Sequence, residues 1–487
     1  MPRHVRSAIA PLMLLLFASG LLAAQPVPDA DDDQKPPKAR SQPARSRDAD
    51  DDKEPPKAKP QSATPVDRDD AQPTNAKSSS AKSPEADDQE EEERSQPQSA
   101  IVVTARRLDA ARTKIDESLG ATVYSLSNDA IENRPGGETG SISAILGQTP
   151  GVGLSSFGLT IRGSRTIQVR INDVILPEAI LDPAEHLTSR LAETTRLITG
   201  TLPAQFGFAP AGVISVTTKN GHYDHGGQAE FFADTRGMIE PAFEWAGSTG
   251  GSSLFGSGSY ERSRDRIEDG LGFSARDVRH ELEGLASGDQ LIGQNDRISL
   301  ILGGSRETHR IGETSIVSGT SRNSDGYGVA TFQHSAEGLT LHASLFGSAS
   351  SEKAEFIALS GERRTSAGTQ IDASYQLGAM HVLRTGLLLT RSTSRESRDA
   401  GMVSDERRTS LGLYLQDEWK IAPGLTFNPG IRSEWLTGLG SRAELEPRAN
   451  FVWTGPGGLT AHFGYARYAI VAPIGKDQAL GQPKPER

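Results

Sequence analysis

The sequence has no cysteine anywhere in its 487 residues. Disulfides, thiol catalysis and Cys-ligated metals are thereby excluded. After the first 24 residues no apolar run approaches the roughly 20 residues that a membrane-spanning helix needs. A mature chain that crosses a membrane must therefore do so with strands, which are too short and too alternating to register as hydropathy peaks. Catalytic signatures are missing as well. His280-Glu281-Leu282-Glu283 has Gly284 where a zinc-protease helix needs its second histidine. No Walker loop and no Gly-x-Ser-x-Gly elbow is present. His222 and His225 have only Asp224 beside them and read as exposed residues at a domain junction. No enzyme activity, cofactor or metal is expected. The formal net charge of −11 disfavours nucleic acid as a partner.

What is there begins with a secretory signal. Arg3 and Arg6 precede a mostly apolar stretch, residues 11–22, and the small residues Ala23 and Ala24 mark a cleavage point. A signal peptide over 1–24 is expected, with an uncleaved anchor as the alternative. Residues 26–98 contain no aromatic side chain, and Val27 and Val66 are their only aliphatics larger than alanine. Such a stretch cannot bury enough apolar surface to offset its ordering entropy. The segment 25–98 is expected to be disordered. It holds 19 acidic and 12 basic residues, so about −7 of the net charge sits there. Its acidic runs are solvated or bind a basic partner.

Composition changes abruptly at Ser99. Ile101, Val102, Val103, Thr104 and Ala105 form a β-branched run that predicts a strand. Residues 106–221 read as a small mixed α/β domain. Short strands are expected at 121–126, 160–162, 167–171, 174–176 and 213–218, and helices at 142–146 and 187–195, with Asn128 or Asp129 capping a further helical turn. From about Gly226 the period becomes two. Leu339, Leu341, Ala343 and Leu345 share one face while Thr340, His342 and Ser344 share the other, and the pattern recurs around Leu411, Leu425 and Leu459. Strands of roughly ten residues are expected. Tight turns at Ala422-Pro423-Gly424 and 455–458 alternate with longer polar stretches such as 261–276, 307–323 and 391–406. Short turns on one side and long loops on the other are the plan of a membrane barrel; an amphipathic β-sandwich also alternates.

Several stretches resemble the TonB-dependent outer-membrane receptor family. Residues 101–105 are similar to its TonB box, and Leu146-Gly147-Gln148-Thr149-Pro150-Gly151-Val152 resembles a segment of its plug domain. Ile161-Arg162-Gly163 resembles another. Val169 to Leu176 looks like a plug strand in which Val174 stands where a glycine is usual. The stretches 202–207 and 212–220 resemble the plug's closing segment. In the second half, 414–420, Gly430-Ile431-Arg432 and Glu446-Pro447-Arg448 look like the family's barrel. The likeness covers about residues 100–470.

This resemblance implies an all-β transmembrane barrel of 22 strands filled by a small α/β plug, 106–221, with the barrel over 222–487. It implies TonB-dependent uptake of a scarce extracellular small-molecule ligand, by default an iron–siderophore, across the outer membrane. TonB, with ExbB–ExbD, would pair with Ile101, Val102, Val103, Thr104 and Ala105 by strand addition, the N-terminus being periplasmic and outer-membrane lipid surrounding the barrel. Arg162, Gly163, Asp173, Gly207 and Gly212 are expected to shape or gate the plug, Arg162 and Arg165 being within reach of carboxylates on the barrel wall. Ser155, Ser156, Phe157 and Arg165 are candidates for ligand contact. About 13 strands follow the plug, so a chain truncated in its barrel is expected. A non-transporting remnant that engages only TonB, and a secreted soluble β-rich binding protein, are the alternatives.

Overall fold

The computed structural model describes residues 100–110, 120–134, 137–155, 158–177, 179–180, 183–184, 187–235, 237–268, 274–311, 319–355, 359–398, 401–438, 442–469 and 474. The expected signal peptide, the acidic segment 25–98, Ser156 and Phe157 lie outside them.

The β-branched run at 101–105 is not a strand here. Residues 100–110 form a helix, α1. Ile101, Ala105 and Leu108 recur at i, i+4 and i+7, which puts them on one helical face. Ala105 and Leu108 are fully buried on that face, with Ile101 packed beside them. Alternation along the strand period, which the run of branched side chains suggests, is overridden by this packing.

The mixed domain follows the expected order with two corrections. β1 (Ala121–Ser127) leads into α2 (Asn128–Glu132), and the cap is Ser127, whose side chain accepts from the Ala130 amide. α3 (Ile142–Leu146) is capped by Ser141 in the same way. A hairpin of β2 (Val152–Ser155) and β3 (Gly158–Ile161) comes next, then β4 (Ile167–Ile171) and β5 (Val174–Ile175). The helix expected over 187–195 is only a single 3₁₀ turn, Ser189–Leu191. It runs straight into β6 (Ala192–Gly200), whose Thr194, Thr195, Ile198 and Thr199 suit a pleated surface between two neighbours. With β7 (Gly212–Thr218), strands β1, β4, β5 and β6 make one sheet, ordered β1-β6-β7-β4-β5, in which only β4 and β7 run parallel, while the β2–β3 hairpin stays apart from it. Val174 in place of a glycine does not disturb the turn before it. Asn172 and Asp173 both take positive φ, 47° and 65°, and these short polar residues tolerate that region, so a tight turn forms one step earlier.

Beyond β7 the described residues form one antiparallel meander of thirteen strands, each paired with its neighbours in sequence. They are β8 (Gly226–Ala233), β9 (Ile239–Thr249), β10 (Ser252–Glu268), β11 (Ser274–Ile292), β12 (Asp296–Ile311), β13 (Gly319–Ala336), β14 (Leu339–Glu355), β15 (Leu359–Leu377), β16 (His381–Arg398), β17 (Gly401–Ala422), β18 (Leu425–Thr437), β19 (Arg442–Thr454) and β20 (Thr460–Ala466). Thirteen strands agrees with the number read from the sequence. Their length does not: β17 has 22 residues and β11 and β15 have 19 each, against about 10 needed to cross a bilayer. The polar stretches 261–276, 307–323 and 391–406, expected as loops, are largely strand. Their polar residues alternate in register with the neighbouring strands, so the ladder continues past the apolar part of each strand.

One face of this wall turns toward the mixed domain. Phe255, Leu285, Ile301, Val329 and Phe346 of the wall join Ile142, Leu146, Ile171, Leu197 and Ile214 in a single apolar core. The small domain is thus a plug seated against the inner surface of the wall.

Candidate functional site

Beside the apolar core that plug and wall share, buried polar contacts also hold the plug against the wall. On one side they centre on Glu138. It follows α2 at the start of a short 3₁₀ turn and is buried. Its Oε1 accepts from Lys219 Nζ at 2.8 Å, and Lys219 also donates to Glu244 of β9 at 2.8 Å. Arg190, 1% exposed, reaches Glu138 at 3.5 Å and Glu230 of β8 at 2.8 Å. Burial raises the Glu138 carboxyl above the usual carboxylate range, with the Lys219 ammonium opposing. Burial alone would pull Lys219 down, but its hydrogen bonds to Glu138 and Glu244 outweigh it and hold the ammonium above the ordinary lysine value. Lys219 therefore stays charged, bridging a plug carboxylate and a wall carboxylate. Lys219→Met leaves Glu138 and Glu244 without that cation and is expected to destabilise the folded protein by about 3 kcal/mol. A chemical-denaturation midpoint unchanged from wild type would contradict this.

On the far side of the plug the cations belong to the wall. Arg432 and Glu434 of β18 and Glu446 and Arg448 of β19 are nearly inaccessible, and Arg432 faces Glu446 in the register. Arg432 Nε donates to Glu434 at 2.5 Å and Arg448 Nη2 to Glu446 at 2.6 Å. The remaining donors point at the plug. Arg448 Nη1 donates to the carbonyls of Leu202 at 3.3 Å, Pro203 at 2.5 Å and Phe206 at 2.6 Å. Arg432 Nη1 donates to Ala204 O at 3.4 Å, and Gln416 of β17 accepts from the Ala204 amide at 2.7 Å. The irregular segment 201–208 has no ladder of its own, so the wall supplies the partners that its buried backbone requires. Gly207 sits here because a Cβ would collide with Glu434 Oε1 and the Arg432 guanidinium.

A third set of contacts holds α1 at the end of the wall where turns are short. Arg297 of β12 donates to Asp109 at 2.6 Å and to the Ala105 carbonyl at 2.8 Å. Gln333 of β13 donates to the Leu108 carbonyl at 2.7 Å. Tyr223 donates to Asp109, and Arg107 bonds the turn residues Gln294 and Asn295. His222, expected to be exposed, is buried instead with Nε2 3.2 Å from Asp289 of β11, while His225 is exposed.

Of the plug residues picked from the sequence, Asp173 touches the wall, its carbonyl accepting from Gln370 of β15 at 3.0 Å. Gly212 packs within close reach of Ile161 and the Ile198 carbonyl. Arg162 and Gly163 form the positive-φ turn after β3, at 50° and 79°. The Arg162 side chain is exposed; the plug cations that reach wall carboxylates are Arg190 and Lys219 instead. Arg165 is exposed, and Ser155 ends β2. Arg190, Glu138 and Lys219 carried no signal in the sequence. Arg432, Glu434, Glu446 and Arg448 did carry one: each strand places an Arg and a Glu two residues apart, which the strand period puts on one face.

Comparisons bear on what this arrangement is. The family described as TonB dependent receptor-like, beta-barrel, matches residues 203–486, more than half of the chain. No curated protein matches it. Among solved structures, a ferric enterobactin receptor (PfeA) mutant from Pseudomonas aeruginosa superposes with a TM-score of 0.60 at 15% identity, covering 75% of this chain and 64% of that one. The copper transporter OprC gives 0.60 at 15%, covering 72% and 64%. The siderophore receptor PirA from Pseudomonas aeruginosa gives 0.55 at 16%, covering 72% and 62%. The chain thus spans a little under two thirds of the length of these structures.

Proposed function

We propose, because this chain belongs to the TonB-dependent receptor family, that it imports a scarce extracellular ligand across the outer membrane with energy supplied from the periplasmic side through residues 101–105. The observation that carries the reading is a plug latched inside an antiparallel wall, with α1 docked where that wall's turns are short. In a membrane barrel the short-turn end is periplasmic. This supports a reading in which an inner-membrane partner can reach α1.

Strand addition to TonB, coupled to ExbB–ExbD, requires α1 to leave Arg297 and Gln333 and to open. Its composition suits two states. Ile101, Val102, Val103 and Thr104 are β-branched, each costing up to about 0.7 kcal/mol in a helix relative to alanine, and they favour an extended partner-paired form. The docked helix depends on the wall for its stability; the released segment is free to pair. Pulling on it acts on the plug, whose polar latches can exchange with water while its apolar contact with the wall has to be given up. The receptor performs no covalent chemistry in this scheme.

The ligand we assign by default is a ferric siderophore, since one superposable structure is a siderophore receptor by name and another a ferric enterobactin receptor; the copper transporter among them keeps metal ions in view. The plug candidates for contact remain Ser155, Ser156, Phe157 and Arg165. Growth of a siderophore-deficient strain under iron starvation, fed a panel of purified ferric siderophores, tests the assignment. Rescue by at least one siderophore, dependent on this receptor, is expected. Binding of copper with no rescue by any siderophore would overturn it.

A further inference from the structure

Between the plug and the first strands of the wall lies a cavity of about 220 Å³, bounded by the plug turn 139–141 with Thr188 and by β9, β10 and β11. That is room for far more than one water, which needs roughly 10–15 Å³. Its charge is one-sided. Glu240, Glu261, Glu281 and Glu283 line it, against the single cation Arg279. The carboxylates form a row across the strands: Glu261 stands opposite Glu281, and Glu281 opposite Glu307. Like charges directly opposite one another destabilise a sheet. Arg279 answers two of them, Glu281 at 2.6 Å and Glu307 at 2.8 Å. Among the described residues Glu261 and Glu283 make no direct ion pair.

A second observation also asks for positive charge here. Glu240 is 3% exposed, and among the described residues its Oε2 has no hydrogen-bond partner. Its ion pair is with Arg190, which stands 3.9 Å from Oε1 and is already held by Glu230 at 2.8 Å and Glu138 at 3.5 Å. A buried carboxylate oxygen without a donor is costly. The cavity therefore suits a group that brings both donors and positive charge.

Its level and the spread of its carboxylates say what kind of group. Glu261 lies nine steps along β10 from Ser252, and Glu281 eleven along β11 from Ile292, both counted from the short-turn end. At about 3.3 Å per residue and a tilt of about 40°, they stand roughly 23 and 28 Å above those turns. The cavity is thus remote from α1 and on the side from which an extracellular ligand arrives. Among the described residues no three acidic or histidine side chains gather closely enough to hold a metal ion. An organic cation with several N–H donors fits carboxylates spread over three strands, and a guanidinium fork matches them bidentately.

We infer that this cavity receives a guanidinium or primary ammonium group carried by the imported ligand, with Glu240 and Glu261 as its principal partners. The ligand is then a siderophore with a basic arm, not a purely anionic one. The inference rests on the uptake reading above and narrows its substrate class.

Isothermal titration of the purified full-length protein in detergent compares butylguanidinium with butylurea, its neutral isostere. Butylguanidinium is expected to bind at least tenfold more tightly than butylurea, and at least tenfold more weakly to the E240Q/E261Q double variant than to wild type. The outward-facing control Glu355→Gln should bind as wild type. Should the double variant fold poorly, E261Q alone replaces it, with a loss of at least threefold. No butylguanidinium binding, equal binding of butylurea, or undiminished binding by the folded variant overturns the inference. In a second arm the growth assay above is fed a ferric trihydroxamate ending in a primary amine, its N-acetylated form and a ferric tricatecholate. Receptor-dependent rescue by the amine form, lost on acetylation, is expected. Rescue by the tricatecholate alone overturns the inference and leaves siderophore uptake in place. Butylguanidinium binding that depends on Glu240 and Glu261, with no rescue by any siderophore, sinks the siderophore assignment and leaves the cation site standing.

Discussion

Replacing Arg448 with methionine is expected to speed amide exchange in the plug segment 201–208 by two to three orders of magnitude. Arg448 satisfies three plug carbonyls and pairs with Glu446, which is fully buried. Methionine fills much of the volume but donates nothing. The carbonyls of Leu202 and Phe206 lose their Arg448 donor, Pro203 O keeps only the Phe206 amide at 3.1 Å among the described residues, and Glu446 keeps there the Ala469 amide at 2.5 Å. Removing one partner of a buried pair costs about 3–5 kcal/mol, and each 1.4 kcal/mol is about a factor of ten in the opening equilibrium that exchange reports. Arg448→Lys should fall between, because one ammonium cannot serve the carboxylate and three carbonyls together. Unchanged protection in the methionine variant would mean that the plug is held elsewhere.

Deleting residues 101–105 is expected to reduce ligand uptake to background while cell-surface binding of the same ligand stays within a factor of two. The deletion removes the segment proposed to pair with TonB but leaves the latches on Arg190, Lys219, Arg432 and Arg448 in place. Gln333 still has the Leu108 carbonyl and Arg297 still has Asp109 as partners, although α1 loses its first turn. Energy coupling should therefore fail before ligand recognition does. Uptake above half of wild type would remove this segment from the mechanism.

How far the sequence could be read differs between wall and plug for a physical reason. Along the wall, neighbouring strands set the period, so Leu411, Leu413 and Leu415 announce their face without knowledge of anything distant. Thirteen strands follow from that alone. Their ends do not: Arg391 to Glu406 looks like a loop by composition, yet its described residues lie within two strands because a ladder outside the bilayer tolerates polar residues on both faces. In the plug, local signals were weaker than distant ones. Residues 192–200 became strand because β1 and β7 lie on either side, and α1 became helical because the wall offers a surface for Ile101, Ala105 and Leu108. The wall-side half of the site was legible, since Arg432 with Glu434 and Glu446 with Arg448 sit two apart on strands. The plug-side half was not. Glu138, Arg190 and Lys219 come together only through tertiary packing, and Arg162 looked equally able to do their work.

The central claim is that residues 101–105 leave their helix on the wall and pair with TonB. Because the chain has no cysteine, Val103→Cys introduces a unique thiol at a position 64% exposed in α1. Cells carrying this variant and a TonB with a single cysteine in its C-terminal domain should yield a disulfide-linked adduct of the two proteins. The adduct should be absent when the receptor thiol is placed instead at lumen-facing Ser392. An outer-membrane receptor that forms no adduct through position 103, or forms it equally through 392, contradicts the account.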